Sequence, residues 1–271
     1  MSERQHAVKK LSILLPVFNE GESLKIMVQI LKATLEVSNE VLIIYDSLDD
    51  TSIPTARWLE DRYANIRPVF NAYGRGVPNA IKAGVEASEG DVILIALVDE
   101  VFPIARIEEM LFLIRHGCDL VSATRYGLGG RRLGGSWIGH VCSRTANVVF
   151  RRVTGFVMSD ATTGMKMIKK SVFKRIPIEA GAVGWAFSFE LAIKAQFYGL
   201  RLGEVPVVSV DRIFGGDSTF RLGAWAREYF RWFCWGVKYL KKGKAPGKVY
   251  IPGKYRRYAR GRHYAIIDHR Q

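Results

Sequence analysis

Four short polar clusters each follow closely on an apolar run: Asn19-Glu20, Asp46-Ser47-Leu48-Asp49-Asp50, the stretch at 71–76, and Asp99-Glu100. Carboxylates placed this way are hard oxygen donors for a divalent cation, and the backbone N–H groups of Gly74-Arg75-Gly76 suit a phosphate. The set has the chemistry of a site for a nucleotide plus Mg2+ or Mn2+. Any one of these loops is also what caps a helix or turns a chain, so the weight rests on finding four together. A glycine-rich stretch at 127–135 carries Arg131 and Arg132. It is either a lid that brings two cations to a phosphate or a surface linker.

The runs in front of the clusters indicate what positions them. Residues 11–18, 41–45, 66–70 and 92–98 are near-continuous apolar segments, the pattern of strands buried on both faces. Between them, residues 22–37, 55–63 and 77–87 carry apolar side chains at helical spacing. Strand and helix in alternation predict an α/β fold: a Rossmann-like, mostly parallel sheet with helices on both faces and right-handed crossovers. Ligands of such sheets bind beyond the carboxyl ends of the strands, where the clusters stand. Beyond residue 104 the pattern predicts helices at 104–115, 137–153 and 187–198 and strands at 120–124 and 204–210.

The 271 residues are 48% apolar, 24% charged and 11% aromatic, which excludes a disordered, collagen-like or disulfide-framework protein. Cys118, Cys142 and Cys234 are far apart, so neither a zinc site nor a disulfide scaffold is expected, and a reducing cytosol fits. The first residues lack a signal-peptide core, and no run approaches the ~18–20 apolar residues of a spanning helix. A protein neither secreted nor integral is therefore expected. Net charge is +14, and ten of the 40 Lys and Arg lie at 241–271 against one acid, Asp268. Such a tail is a partner signal for anionic membrane, nucleic acid or a phosphorylated substrate.

Ahead of the tail, Leu222, Ala226, Tyr229, Phe233, Val237 and Leu240 share one helical face, Arg227, Arg231 and Lys238 take the other, and Trp225, Trp232, Trp235 and Tyr239 crowd the flanks. This is a candidate to lie in the interface of an anionic membrane; the alternative is a helix docked on the core. In the tail, Tyr250, Tyr255, Tyr258 and Tyr264 alternate with Lys254, Arg256, Arg257, Arg260 and Arg262, as in a single-stranded nucleic-acid platform. No nucleic-acid motif accompanies them, so no nucleic-acid partner is expected.

Residues 11–20, Tyr45-Asp46-Ser-Leu-Asp-Asp-Thr and Gly74-Arg-Gly-x-x-x-Ala-x-x-x-Gly84 resemble the nucleotide-binding half of family 2 glycosyltransferases with the GT-A fold. The second half resembles their dolichyl- and polyprenyl-phosphate mannose synthase branch. The residues that carry this are Thr124-Arg-Tyr-x-x-Gly-Gly130, Ser143-Arg-x-Ala-Asn147, Asp160-Ala-Thr-Thr-Gly-Met-Lys166, Phe187-Ser-Phe-Glu190 and the run from Glu204 through Asp211-Arg212 to Gly215. Where the family carries Asp-x-Asp, this chain reads Leu97-Val98-Asp99, followed by Glu100. The resemblance implies a GT-A domain at 1–216, and the helical pattern and charge add an amphipathic, candidate membrane-interfacial helix at 217–241 and a basic tail at 242–271.

The activity it implies is transfer, with inversion, of a sugar from a GDP- or UDP-sugar to an acceptor, foremost a polyprenyl phosphate, at the cytoplasmic face of a membrane. Alternatives are transfer to a sugar hydroxyl in cell-envelope polysaccharide synthesis and a non-catalytic GT-A-like protein. Implied donor-binding residues are Pro16, Phe18, Glu20, Asp46, Gly74, Arg75, Gly76 and Asp99, with Asp99 and Glu100 holding Mg2+ or Mn2+. Asp99, Asp160 and Arg212 are the implied catalytic set, the cation and Arg212 neutralising the departing diphosphate. Arg125 and Ser143 would hold an acceptor phosphate. A hydroxyl acceptor would instead need a base, with Asp160 or Glu190 as candidates.

Overall fold

The computed structural model describes residues 8–134, 137–210, 222–242, 247–259 and 263–268. The first half alternates as its hydrophobic pattern dictates: β1 (Leu11–Pro16), α1 (Gly21–Thr34), β2 (Asn39–Tyr45), α2 (Ile53–Arg62), β3 (Ile66–Phe70), α3 (Val77–Ala87) and β4 (Val92–Ile95). β1 lies between β2 and β4 and is parallel to both, and β3 extends the sheet beyond β2. Leu11, Ile13 and Leu15 pack into one core, whereas Leu14, Leu42 and Ile44 pack into another on the opposite face. Burial on both faces is what makes these strands apolar throughout.

The second half comprises α4 (Ile107–Arg115), entered through a 3-10 turn at Phe102–Arg106, β5 (Leu120–Thr124), β6 (Arg131–Leu133), α5 (Trp137–Thr154), β7 (Lys166–Lys169), α6 (Lys170–Phe173), α7 (Ala186–Phe197), β8 (Leu202–Pro206) and β9 (Val208–Val210). β7 is antiparallel to both β4 and β5 and joins the two halves. Its sequence conceals it, because Lys166 looks like a surface residue. The side chain is in fact fully buried, and Nζ donates to Ser122 Oγ at 3.1 Å and to the Thr163 carbonyl at 2.7 Å. The glycine-rich stretch is tied down in part, since β6 pairs in parallel with β9.

The C-terminal part contains α8 (Leu222–Tyr239), β10 (Val249–Pro252) and β11 (Tyr264–Ile267). α8 docks against α5 and α7. Trp232 is 1% exposed and Leu240 is buried, while Ala226 and Val237, expected on the apolar face, are exposed. The inward face is thus rotated toward the tryptophans. Gly236 allows this approach, since a Cβ there would lie 2.5 Å from the Phe150 ring. Part of the 242–271 segment joins the main sheet, with order β11-β10-β8-β5-β7-β4-β1-β2-β3. Val249, Ile251, Tyr255 and Ile267 are buried there. The Glu109 carboxylate accepts a hydrogen bond from Lys254 Nζ at 2.6 Å and another from the Tyr255 hydroxyl.

Candidate functional site

The four polar clusters meet beyond the carboxyl ends of β1 to β4. Asp46 follows β2, and its Oδ2 accepts the Gly76 N–H at 2.9 Å, so the carboxylate fixes the Gly-Arg-Gly loop. Gly74 and Gly76 have φ of +88° and +115°, a left-handed backbone that suits glycine. Asp50 Oδ1 accepts the backbone N–H groups of Asn19, at 3.0 Å, and Ser52, at 2.7 Å. Asp46 Oδ1 and Asp50 Oδ2 are buried without a hydrogen bond among the described residues, an arrangement that favours a ligand bearing donors or a cation. Arg75 Nη2 lies 3.4 Å from Ser47 Oγ. Phe18 is 49% exposed after β1, and Pro16 closes that strand opposite Ile44.

Glu20 links this cleft to the end of β4. Burial, then the charges of Asp99 and Asp50, push its carboxyl up to about 8. A carboxylate pair in a desolvated cleft is what a cation relieves. Among the described residues no three His, Cys, Asp or Glu side chains converge on one point. Asp99 and Glu20, coupled in a desolvated cleft, would suit an Mg2+-like ion held by one or two carboxylates. Leu97, standing where the family has an acid, contacts the second half: a Cβ on Gly164 would lie 2.3 Å from Leu97 Cδ1.

Across β7 lies the second cluster. Arg125, just past β5, forks into Asp160, with Nε to Oδ2 at 2.7 Å and Nη2 to Oδ1 at 3.1 Å. Nη2 also donates to Thr162 Oγ1 at 3.0 Å. Nη1 carries no hydrogen bond among the described residues. Burial opposes both charges, but each partner outweighs it, holding the guanidinium above its usual range and the Asp160 carboxyl below its own. Glu100, in the loop after β4, adds to the field on Arg125. Ser143, on α5, accepts the Tyr126 hydroxyl at 2.9 Å, and Asn147 one turn on reaches Thr162 Oγ1 at 3.2 Å.

The carboxylates thus run from Glu20 through Asp99 and Glu100 to the Arg125–Asp160 fork. Glu190 stands apart. Its oxygens accept the Glu179 and Ala180 N–H groups, each at 2.7 Å, and pair with Lys194 at 2.6 Å. This holds the loop whose Ala182 packs on Gly76, where an added Cβ would lie 2.6 Å from the Ala182 Cβ. Arg212 lies outside the described residues.

Sequence reasoning does not single out Tyr126, Thr162, Glu204 or Tyr229. Glu204 Oε1 accepts the Ser159 N–H and hydroxyl, at 2.6 and 2.9 Å, and so supports the Asp160 loop from beneath; burial pushes its carboxyl up to about 7. Tyr126, Thr162 and Glu204 lie inside the quoted motifs, which is their available signal. Tyr229 comes from α8, and its buried hydroxyl feels the charges of Arg125 and Asp160. Nothing in its local sequence announces that.

Residues 12–177 match the family described as Glycosyl transferase family 2. The chain belongs to this family. Relatives of this family 2 glycosyltransferase chain include a dolichol-phosphate mannosyltransferase of Pyrococcus furiosus, 24% identical over 82% of the chain and 62% of that protein. Another is an undecaprenyl-phosphate 4-deoxy-4-formamido-L-arabinose transferase of Serratia proteamaculans, 27% identical over 81% of the chain and 65% of that protein. The chain therefore spans about two thirds or less of the length of these two relatives. Its fold is that of glucosyl-3-phosphoglycerate synthase from Mycobacterium tuberculosis, crystallised with Mn2+, UDP and glucosyl-3-phosphoglycerate, at a TM-score of 0.66 and 16% identity over 84% of this chain and 80% of that one.

Proposed function

We propose that this family 2 glycosyltransferase moves a sugar from a GDP- or UDP-sugar to a polyprenyl phosphate, with inversion at the anomeric carbon. An oxygen of the acceptor phosphate attacks that carbon as its bond to the nucleoside diphosphate breaks, and the diphosphate leaves with the electron pair. The Gly74–Gly76 loop and Asp46 hold the nucleotide, and Asp99 with Glu20 or Glu100 holds the cation. A bound Mg2+ or Mn2+ neutralises charge growing on the diphosphate. Arg212 is the proposed second cation for that group.

The observation that carries the phosphate reading is the state of Asp160. Locked to Arg125 and held below the usual carboxylate range, it is a poor proton acceptor. Glu190, the other candidate base, is occupied by two backbone N–H groups and Lys194. A phosphate acceptor is already ionised and needs positioning rather than a base. Arg125 Nη1 and the Ser143 hydroxyl, which keeps its own proton while accepting from Tyr126, supply donors suited to that task.

The acceptor implies a membrane surface, and α5 and α8 offer one. Trp137 is 77% and Phe230 67% exposed, with Val141, Val149 and Val153 exposed along α5 and Arg144, Arg152, Arg227 and Lys238 among them. Apolar side chains flanked by cations suit an anionic interface. Among the described residues no helix is long and apolar enough to cross a membrane.

Incubation with GDP- and UDP-sugars and a short-chain polyisoprenyl phosphate, with Mg2+ or Mn2+, should yield a polyisoprenyl-phosphate sugar detectable by mass spectrometry. Transfer to sugar hydroxyls but never to the lipid phosphate would overturn the reading.

A further inference from the structure

The C-terminal segment touches the proposed acceptor side at two places. Through β10, where Tyr250 pairs with Gly203, and through β11, it extends the sheet beside β8, which itself pairs with β5 from Leu120 to Thr124. From the 3-10 turn at Gly253–Tyr258, the ring of Tyr258 lies against the backbone of Gly129: a Cβ there would sit 3.3 Å from the ring. Gly129 has φ of +87°, so the turn presents bare backbone to a flat aromatic face. Arg257 covers the ring, 4.7 Å from its centroid.

The second contact is Tyr264, which opens β11 and packs into both cores. Its hydroxyl, pushed up chiefly by burial, lies near Glu204 and Ser159. Ser159 Oγ is also 2.6 Å from Thr124 Oγ1, which accepts the N–H groups of Tyr126 and Gly127 at 3.3 and 3.2 Å. One short network therefore joins Ser159, beside which Tyr264 stands, to the turn that begins at Arg125, and Glu204 joins the same serine to the Asp160 N–H at 3.3 Å. Gly127 leaves room for it, since a Cβ there would lie 2.3 Å from Ser159 Oγ.

We propose that Tyr258 and Tyr264 of the C-terminal segment are positioning residues for acceptor transfer, fixing the 125–130 turn and the Asp160 loop so that Arg125 meets the acceptor phosphate in one orientation. Neither residue touches the donor loops at Gly74–Gly76 or Asp99 in the contacts described. The segment's role is thus to set acceptor geometry, while Lys254 anchors it at Glu109, 2.6 Å away, and Arg256 braces it internally at Asp268, 2.7 Å away. This inference rests on the acceptor reading of the Arg125–Asp160 pair.

The test uses the full chain with Tyr258→Ala, Tyr258→Phe and Tyr264→Phe. Misplacing a reacting group by an ångström costs up to about 100-fold, so Tyr258→Ala should raise the KM for a polyisoprenyl phosphate or lower kcat by about tenfold, with Tyr258→Phe restoring it. Tyr264→Phe should act in the same direction. Donor affinity by calorimetry and the melting temperature of Tyr264→Phe should stay near wild type. Amide hydrogen exchange at 125–130 should quicken in Tyr258→Ala, a readout that holds whatever the acceptor is. Faster exchange with no polyisoprenyl-phosphate transfer by the wild type would leave the positioning role intact and sink the acceptor reading. Unchanged exchange, or equal losses in donor affinity and acceptor KM, would overturn the positioning role.

Discussion

Arg125 and Asp160 form a forked ion pair, 2.7 and 3.1 Å on its two arms, with side chains 10% and 0% exposed. Their separation in sequence is 35 residues. The pair binds the turn after β5 to the loop before β7, and its enclosure sets both its strength and the cost of breaking it. Removing one member of a buried pair leaves an uncompensated charge and destabilises by about 3–5 kcal/mol, whereas replacing both with apolar groups can be close to neutral. Arg125→Ala should therefore lower the urea midpoint clearly, and Arg125→Met combined with Asp160→Leu should recover much of it. Both should be inactive in transfer while nucleotide binding persists in the double variant. A single variant as stable as wild type would show that the pair is not sealed.

Glu20 gives a proton signature. Its carboxyl, raised to about 8 by burial and Asp99, is mostly protonated at neutral pH. Cation binding requires the ionised form, so calorimetry at neutral pH in buffers of differing ionisation enthalpy should show close to one proton released per Mn2+. A group with a raised folded pKa stabilises below its unfolded value and loses that contribution as pH rises through the folded one. The Glu20 contribution to stability should thus fall between about 4.5 and about 8, and Glu20→Gln should remove that slope.

Asp99→Ala should abolish transfer and weaken cation-dependent binding of a nucleoside diphosphate. Titration of GDP and UDP with and without Mn2+ checks it; wild-type turnover by the variant would remove Asp99 from the cation site.

Leu97→Asp restores the acid of the family pattern but should gain nothing. The carboxylate would replace the side chain that packs on Gly164. Expected are a loss of about 1–3 kcal/mol of stability, from burying an unpaired polar group, and no tighter Mn2+ binding. Thermal melting and cation titration read both.

The interface reading puts Val149 and Phe230 against lipid. Each exposed apolar side chain that becomes buried contributes up to about 1.5–3 kcal/mol, so Val149→Asp with Phe230→Asp should cut co-sedimentation with anionic vesicles about tenfold or more. Pelleting unchanged from wild type would place the membrane contact elsewhere. Deleting everything after Gly216 is a poor substitute, because it strips Trp232 and two sheet strands from the core.

The sequence by itself determined the alternating half of the fold and the polar loops that gather beyond β1 to β4. Strands such as β1, buried on both faces, and helices with one apolar stripe are local patterns, and in a parallel sheet the loops after the strands gather at one edge. Glu20, Asp46, Gly76 and Asp99 were legible for that reason. Only the tertiary structure decided which charges meet. Arg125 finds Asp160 because antiparallel β7 inserts between β4 and β5, and the burial of Lys166 that allows this carries no local signal. The tryptophans of α8 turn inward because Gly236 and Gly184 leave space against Phe150 and Trp225, a fit between surfaces distant in sequence. The C-terminal cations look like a solvated tail in composition, yet Val249, Ile251 and Tyr255 fold part of it into the sheet. Charge counts describe a segment's solvation in isolation, whereas its place is set by the partners that bury its few apolar residues.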